Sequence, residues 1–236
     1  MEIRRFFADV SDLRDGIITL SKREAAHAAV LRQKVGYEVV VALGDGYDYR
    51  GTITSVSKES VSVAVTEKVF NDCETKRRFT LYQCAAKMSD FILQKAVELG
   101  FSEFVTIRSE RSNAKVNDER MHMISLDAAK QCGRAKVPEI RELASVKDAV
   151  NEFSGYDSVV FPYENAKDGS ISDVDFSTAA NVAVVIGPEG GFTDAEAAAI
   201  TAAGAKCVTL GKRILRAETA AISAMTLVLE YAGELK

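Results

Sequence analysis

Apolar and polar positions follow two different rhythms along this chain, and the change falls near residue 70. Before it, residues 3–8 and 16–20 read as short strands and 37–43 as a stronger one. Residues 49–56 and 60–65 alternate apolar with polar, the period-two pattern of half-buried strands. Ser21 with Glu24 three positions on has the spacing of a capping box, so it predicts a helix start. Ala25, Ala29 and Val30 give that helix an apolar side. Gly44-Asp45-Gly46 between two strands predicts a hairpin turn, where glycine supplies positive φ. Several short strands joined by tight turns predict a small β-barrel.

After residue 77 strands alternate with helices, which predicts an α/β domain with a mostly parallel sheet. Strands are expected at 79–85, 104–107, 158–161, 182–186 and 207–210. The run 182–186 is wholly apolar, as suits the middle of a sheet. Helices are expected at 90–99, stopped by Gly100, and at 118–132, 145–153 and 218–231. Thr193 and Glu196 form a second capping box that opens a helix running to Gly204. Residues 70–77 are polar and charged and read as a linker, giving domains at 1–72 and 73–236.

Composition narrows the class. Of 236 residues, 47% are hydrophobic and 27% charged, which excludes a disordered, collagen-like or low-complexity chain. No run approaches the ~18 apolar residues of a membrane span, and the first residues lack the apolar core of a signal peptide. The cysteines at 73, 84, 132 and 207 are far apart and form no C-x-x-C pair. That fits a reducing cytoplasm and argues against a zinc site, and two histidines make a His-rich metal centre unexpected. The expectation is a cytoplasmic protein with no membrane and no metal. A formal net charge of -4 means that any nucleic-acid contact must use local basic patches.

Candidate chemistry collects after the predicted strands of the second part, because ligands of open α/β sheets bind beyond the carboxyl ends of strands. Three segments leave such ends: Pro162-Tyr163-Glu164-Asn165, Gly187-Pro188-Glu189-Gly190-Gly191, and Gly211-Lys212-Arg213-Ile214-Leu215. The glycines of the second let backbone approach a ligand closely, although a plain tight turn accounts for the same residues. A Walker A loop is absent: Lys206 stands where its first glycine belongs and Arg213 where its serine or threonine belongs. Neither His27 nor His122 lies near a nucleophile-elbow pattern.

These residues carry a resemblance. Gly187-Pro188-Glu189-Gly190-Gly191-Phe192, followed by 210–220 (Leu-Gly-Lys-Arg-Ile-Leu-Arg-Ala-Glu-Thr-Ala), resembles the knotted SPOUT methyltransferases. More closely, the chain resembles the RsmE-type small-subunit ribosomal RNA (uracil-N3)-methyltransferases. Arg4-Arg5-Phe6-Phe7 is similar to that family's opening. His27 with Val30-Leu31-Arg32 and Val35-Gly36, Gln94 to Gly100, Ser109-Glu110-Arg111-Ser112, and 129–134 are similar to its later segments. Lys130 stands where the family usually has Glu, and Ala28 and Ala29 replace bulkier or polar residues.

The resemblance implies a PUA-like β-barrel that binds RNA, followed by an α/β domain whose C-terminal segment is threaded as a trefoil knot. It implies S-adenosylmethionine held by Phe161, Pro162, Ile186, Gly187, Pro188, Glu189, Gly190, Gly191, Leu210, Gly211, Ile214, Leu215, Arg216 and Ala220. The target that the resemblance implies is N3 of a uridine in 16S ribosomal RNA of the small subunit. A homodimer is expected, with the last helix in its interface, although a buried core helix predicts the same stripe of Ala220, Ala221, Ala224, Leu227, Val228 and Tyr231.

Uracil N3 is a poor nucleophile while it keeps its imide proton. Donors aimed at the developing negative oxygens, or a carboxylate base, answer that need. Arg111, Arg216, Glu189 and Glu218 are the catalytic candidates, against the alternative of Arg–Glu pairs that hold loops. Residues 108–136 carry more cations than acids. The RNA-contact candidates are Arg4, Arg5, Phe6, Arg23, His27, Arg32, Arg50 and Arg134, with Tyr47 and Tyr49 as further stacking surfaces. His27 read from its helix alone is a packing or capping residue, and His122 a surface one. A SPOUT enzyme with another RNA target, a non-catalytic RNA-binding protein, and a nucleotide-dependent enzyme are the other function classes.

Overall fold

The computed structural model describes residues 3–112 and 114–235. The ends of the expected domains at residues 1, 2 and 236 lie outside them. The described chain divides into two compact units. One runs to Glu74 and includes Leu126–Val137; the other holds Thr75–Ser125 and the chain from Pro138.

In the first unit six strands form one sheet: β1 (Arg4–Phe7), β2 (Leu13–Arg14), β3 (Ile17–Leu20), β4 (Glu38–Ala42), β5 (Tyr47–Val56) and β6 (Val61–Phe70). Their order is β1-β4-β5-β6-β3-β2, with β1 parallel to β4 and the other pairs antiparallel. Helix α1 (Lys22–Val30) packs Ala25 and Ala28 into a core with Phe6, Ile18, Leu20, Val39, Val41 and Val63. Register shifts at Arg50/Gly51 and Ile53/Ser55 mark irregularities of the β5–β6 pair, the kind of insertion that bends a strand.

In the second unit the elements are β7 (Arg78–Cys84), α2 (Ser89–Glu98), β8 (Glu103–Ile107), α3 (Asp118–Cys132), β9 (Glu139–Leu143), α4 (Val146–Glu152), β10 (Ser158–Pro162), β11 (Asn181–Ile186), α5 (Asp194–Ala202), β12 (Lys206–Val208) and α6 (Ala217–Ala232). From residue 126 on, α3 belongs to the first unit. The sheet order is β12-β10-β11-β7-β8-β9, and every pair is parallel. The late strand β11 therefore sits in the middle, between β7 and β10, as its unbroken apolar run requires. No described helix is long and apolar enough to cross a membrane.

Two expectations change. Ser21 caps α1, its hydroxyl accepting from the Glu24 amide, but the return half of the capping box is absent. The Glu24 carboxylate is buried instead, accepting from Lys130 Nζ at 2.5 Å and from the Phe7 amide at 3.4 Å. Residues 70–77 are not a slack linker. Phe70 ends β6, and Asn71 is buried, donating to Asp48 at 2.9 Å and to the Gly133 carbonyl at 3.0 Å. Glu74 pairs with Arg134 at 2.7 Å. Sequence reading missed the two-residue β2 and the edge strand β9, which has no buried residue.

Candidate active site

Because all six strands of the second sheet run the same way, the loops after β7, β10, β11 and β12 open on one side. They enclose a cavity of about 700 Å³. Its wall comes from Lys87 and Met88 after β7, residues 162–164 after β10, 186–192 from the end of β11, and 209–218 with Ala220 after β12. Of the residues expected to hold a donor, Pro162, Ile186, Gly187, Pro188, Glu189, Gly190, Gly191, Leu210, Gly211, Ile214, Leu215, Arg216 and Ala220 line it.

Phe161, also expected there, does not line it. Its side chain is wholly buried, because on a strand buried on both faces the residue before Pro162 points into the core. It stacks on Tyr163 with ring centres 5.2 Å apart and meets Phe192 edge-on at 5.5 Å. Those two rings do line the cavity, so Phe161 backs the wall. Lys87, Met88 and Thr209 were missed. The rule that ligands sit beyond carboxyl ends would have found the first two, had the loop after β7 been given the weight of the others.

Short, specific contacts set the glycine loop. Gly191 has φ +67°, where side chains are disfavoured, and a Cβ there would meet the Glu164 carboxylate. The Thr193–Glu196 capping box is complete and starts α5 directly after the loop. The other Glu196 oxygen accepts the Glu110 amide at 2.9 Å, tying residues 108–112 to the same helix. Glu189 accepts the Lys87 amide at 2.9 Å and so clasps the loop after β7 to the loop after β11. Gln83, near the end of β7, is buried; its amide nitrogen donates to the carbonyls of Cys84 at 2.9 Å and Gly187 at 3.4 Å, and its oxygen has no partner among the described residues. Burial pushes the Cys84 thiol well up, so it is protonated and inert at neutral pH.

The four catalytic candidates separate. Arg216, at the N-cap of α6, and Glu218 line the large cavity, and neither side chain hydrogen-bonds within the described residues. Glu189 lines it too, with one oxygen engaged. Arg111 borders a smaller neighbouring cavity of about 540 Å³ instead. Its guanidinium donates to the carbonyls of Gly190 at 2.9 Å and Phe192 at 3.4 Å, so it braces the glycine loop of its own chain.

The RNA-contact candidates on the first unit divide by burial. Phe6 is 0% exposed and has no face to offer a base, which corrects its assignment. Arg5 is held in a two-pronged pair with Asp48 at 2.6 and 2.7 Å. Arg134 is 3% exposed and paired with Glu74, so neither arginine is a free cation for phosphate. His27 packs edge-on against Phe6, its Nδ1 3.1 Å from Lys130 Nζ. Burial and the Lys130 charge hold its pKa below the usual histidine range. Its ring thus packs inside the first unit. Arg23, Arg32 and Arg50 are exposed, and Arg50 makes only a long pair with Glu67 at 3.4 Å; Arg4 is half-buried. Among the described residues no group of three or more His, Cys, Asp or Glu is placed to hold a metal ion.

Residues 73–229 match the RNA methyltransferase domain family, and residues 20–66 match the RNA methyltransferase PUA domain. The chain is 30% identical over 221 residues to ribosomal RNA small subunit methyltransferase E of Bacillus subtilis, covering 87% of this chain and 86% of that one.

The chain belongs to this methyltransferase family.

A second member, from Aquifex aeolicus, is 30% identical over 231 residues, covering 92% and 96% of the two chains. Among solved structures, the family member from Neisseria gonorrhoeae bound to S-adenosyl methionine superposes with a TM-score of 0.89 at 27% identity, covering 97% and 98% of the two chains. A Legionella pneumophila protein solved with bound SAM has the same TM-score, also at 27% identity, covering 98% of each chain. Family membership accounts for the pairing of a PUA-like unit with an all-parallel α/β unit.

Proposed function

We propose that this chain methylates N3 of a uridine in 16S ribosomal RNA of the small subunit, using S-adenosylmethionine held in the large cavity. The observation that carries the reading is the meeting of the loops after β7, β10, β11 and β12 around one cavity at the carboxyl ends of parallel strands, with glycines lining it from the last two. Its volume lies within the roughly 300–1,000 Å³ of small-molecule sites. Ile186, Leu210, Ile214 and Leu215 supply apolar walls for an adenine ring, and the bare backbone at Gly190 and Gly191 supplies close-approaching polar groups. Glu164 and Glu218 add negative charge suited to a cationic sulfonium. The residues present therefore fit this ligand, which when bound supplies an electrophilic methyl group.

The chain's own part is positioning and charge. Gly187 to Gly191 fix the cradle, and Arg111 braces it through the Gly190 and Phe192 carbonyls. Arg216, at the cavity wall without an internal partner, opposes negative charge on the reacting ring. Glu218 is the better placed of the two candidate bases, since Glu189 is committed to the Lys87 amide. On the first unit the exposed Arg23, Arg32 and Arg50 serve as RNA-backbone contacts. The enzyme works in the cytoplasm as a homodimer whose α6 carries the exposed Leu227 and Tyr231 into the interface, and the segment after β12 is threaded as a knot. Incubation with labelled S-adenosylmethionine and unmethylated small subunits, followed by mass spectrometry of the RNA, tests the reading. Label at uridine N3 is expected; label on another atom, or none, refutes it.

A further inference from the structure

Next to the large cavity lies the smaller one, walled by Lys87, Glu110, Arg111, Ala114, Glu189 and Gly190. Lys87, Glu189 and Gly190 belong to both walls. We propose that this smaller cavity takes the pyrimidine ring to be methylated, and that Lys87 is the cation that binds its carbonyl oxygen as N3 loses its proton. The proposal rests on the function proposed above and assigns the acceptor half of the site.

Three observations carry it. First, transfer needs donor and acceptor atoms brought to about 3–3.5 Å, so an acceptor pocket must share a wall with the donor pocket. The shared wall includes Gly190, which has no side chain; a Cβ there would lie 3.3 Å from Arg111 Cβ. Second, the charged groups of the smaller cavity differ in how far they are committed. Glu189 accepts the Lys87 amide, and Arg111 donates to the Gly190 and Phe192 carbonyls. The Lys87 ammonium makes no hydrogen bond or ion pair within the described residues. Its root is fixed by the Glu189 clasp while its tip is unspent. Third, Lys87 lies just before α2, a helix of ten residues whose capping residue Met88 gives no side-chain acceptor. The positive end of that helix adds to the field felt by an anion there.

The chemistry follows. The N3–H bond breaks with its electron pair left on the ring, and the proton passes to the base, Glu218 in the function proposed above, and from it to solvent. The negative charge then spreads over N3 and the two ring oxygens. A cation at one of those oxygens lowers the cost of that anion, as an oxyanion donor does. Glu110 and Glu189 line the same cavity, and Glu164, Lys212, Arg213, Arg216 and Glu218 line the larger one beside it. Lys87 is singled out among them because it reaches both cavities and is uncommitted.

The test compares Lys87→Gln, Lys87→Arg and wild type in two assays. In the first, methylation of small subunits is followed against pH, with calorimetry of S-adenosylmethionine binding alongside. Lys87→Gln is expected to slow turnover by roughly 10²–10³-fold, to move the rising limb of the profile to higher pH, and to bind S-adenosylmethionine within about twofold of wild type; Lys87→Arg restores most of the rate. In the second, which needs no donor, the protein binds an RNA fragment carrying 5-fluorouridine at the target, whose N3 ionises more readily. Wild type is expected to bind more tightly as pH rises through that ionisation, and Lys87→Gln is not. An unchanged pH profile and rate in Lys87→Gln overturns the proposal. So does a parallel loss of S-adenosylmethionine affinity, which would put Lys87 in the donor site alone. If wild type leaves the subunits unmethylated, the proposed function fails, and the fluorouridine assay still decides the pocket.

Discussion

The two ends of the parallel sheet are built on opposite principles. Toward the amino ends of its strands carboxylates are closed into networks, although the exposed Lys206 that opens β12 stands outside them. Buried Glu103, at the start of β8, accepts from Arg78 and Thr80 at 2.9 Å and from Arg141 at 2.6 Å. Glu152 takes two bonds from Arg141, at 3.0 and 2.9 Å, and one from the Tyr82 hydroxyl at 2.6 Å. Asp157 accepts the amides of Ala180 and Asn181, at 2.8 and 2.9 Å. At the carboxyl ends, polar groups are left unspent: the Gln83 oxygen, the Lys87 ammonium and the Arg216 guanidinium. A closed network gives stability, whereas groups without internal partners keep their binding capacity for a ligand. One sheet thus separates the two tasks by about the length of a strand.

The contrast can be broken most forcefully at the loop. Gly190→Val should lower S-adenosylmethionine affinity beyond calorimetric detection, because a branched side chain must displace Arg111 and fill the junction of the two cavities. The melting transition should remain cooperative; retained affinity would remove this loop from the donor site. At the other end, Glu103→Ala should cost about 3–5 kcal/mol by leaving Arg141, Arg78 and Thr80 without their shared acceptor. Chemical denaturation measures it, and the folded fraction should still bind the donor normally. Arg216→Ala should slow methylation roughly 100-fold while leaving RNA affinity and melting temperature near wild type. An unchanged turnover rate would take Arg216 out of the chemistry.

The smallest effect is a pH dependence. Hydrogen bonds from Arg141 hold the Glu152 carboxyl below its usual range. A lowered carboxyl pKa stabilises the fold above the unfolded value and loses that contribution as pH falls through the folded one. The melting-temperature difference between wild type and Glu152→Gln should therefore be full at pH 7 and shrink below about pH 4. A difference that persists in acid would mean that the effect is packing and not charge.

Much of the site was legible because backbone chemistry writes itself into local composition. Glycines, a proline and a capping box marked the loop at 187–196, and the rule for carboxyl ends did the rest. What escaped was set by partners distant in sequence. Glu24 has the spacing of a capping box, yet Lys130, 106 positions away, claims its carboxylate. Arg5 and Arg134 look like RNA contacts until Asp48 and Glu74 are seen beside them. Phe6 looks like a stacking ring until the strand turns it inward. Strand β9 lies at the sheet edge with half-exposed side chains, so its alternation is too weak to read.

The sequence by itself determined the kinds of element, the change from a strand-rich to an alternating unit, and the glycine-rich loops, since these depend on side-chain period and backbone freedom within a few residues. Only the tertiary structure decided which charges are spent internally and which face a cavity. It also decided that β11 enters between β7 and β10, which brings Lys87 to the glycine loop. Strand order and ion pairing are long-range choices, made by the burial of whole faces, and no local window of the chain contains them.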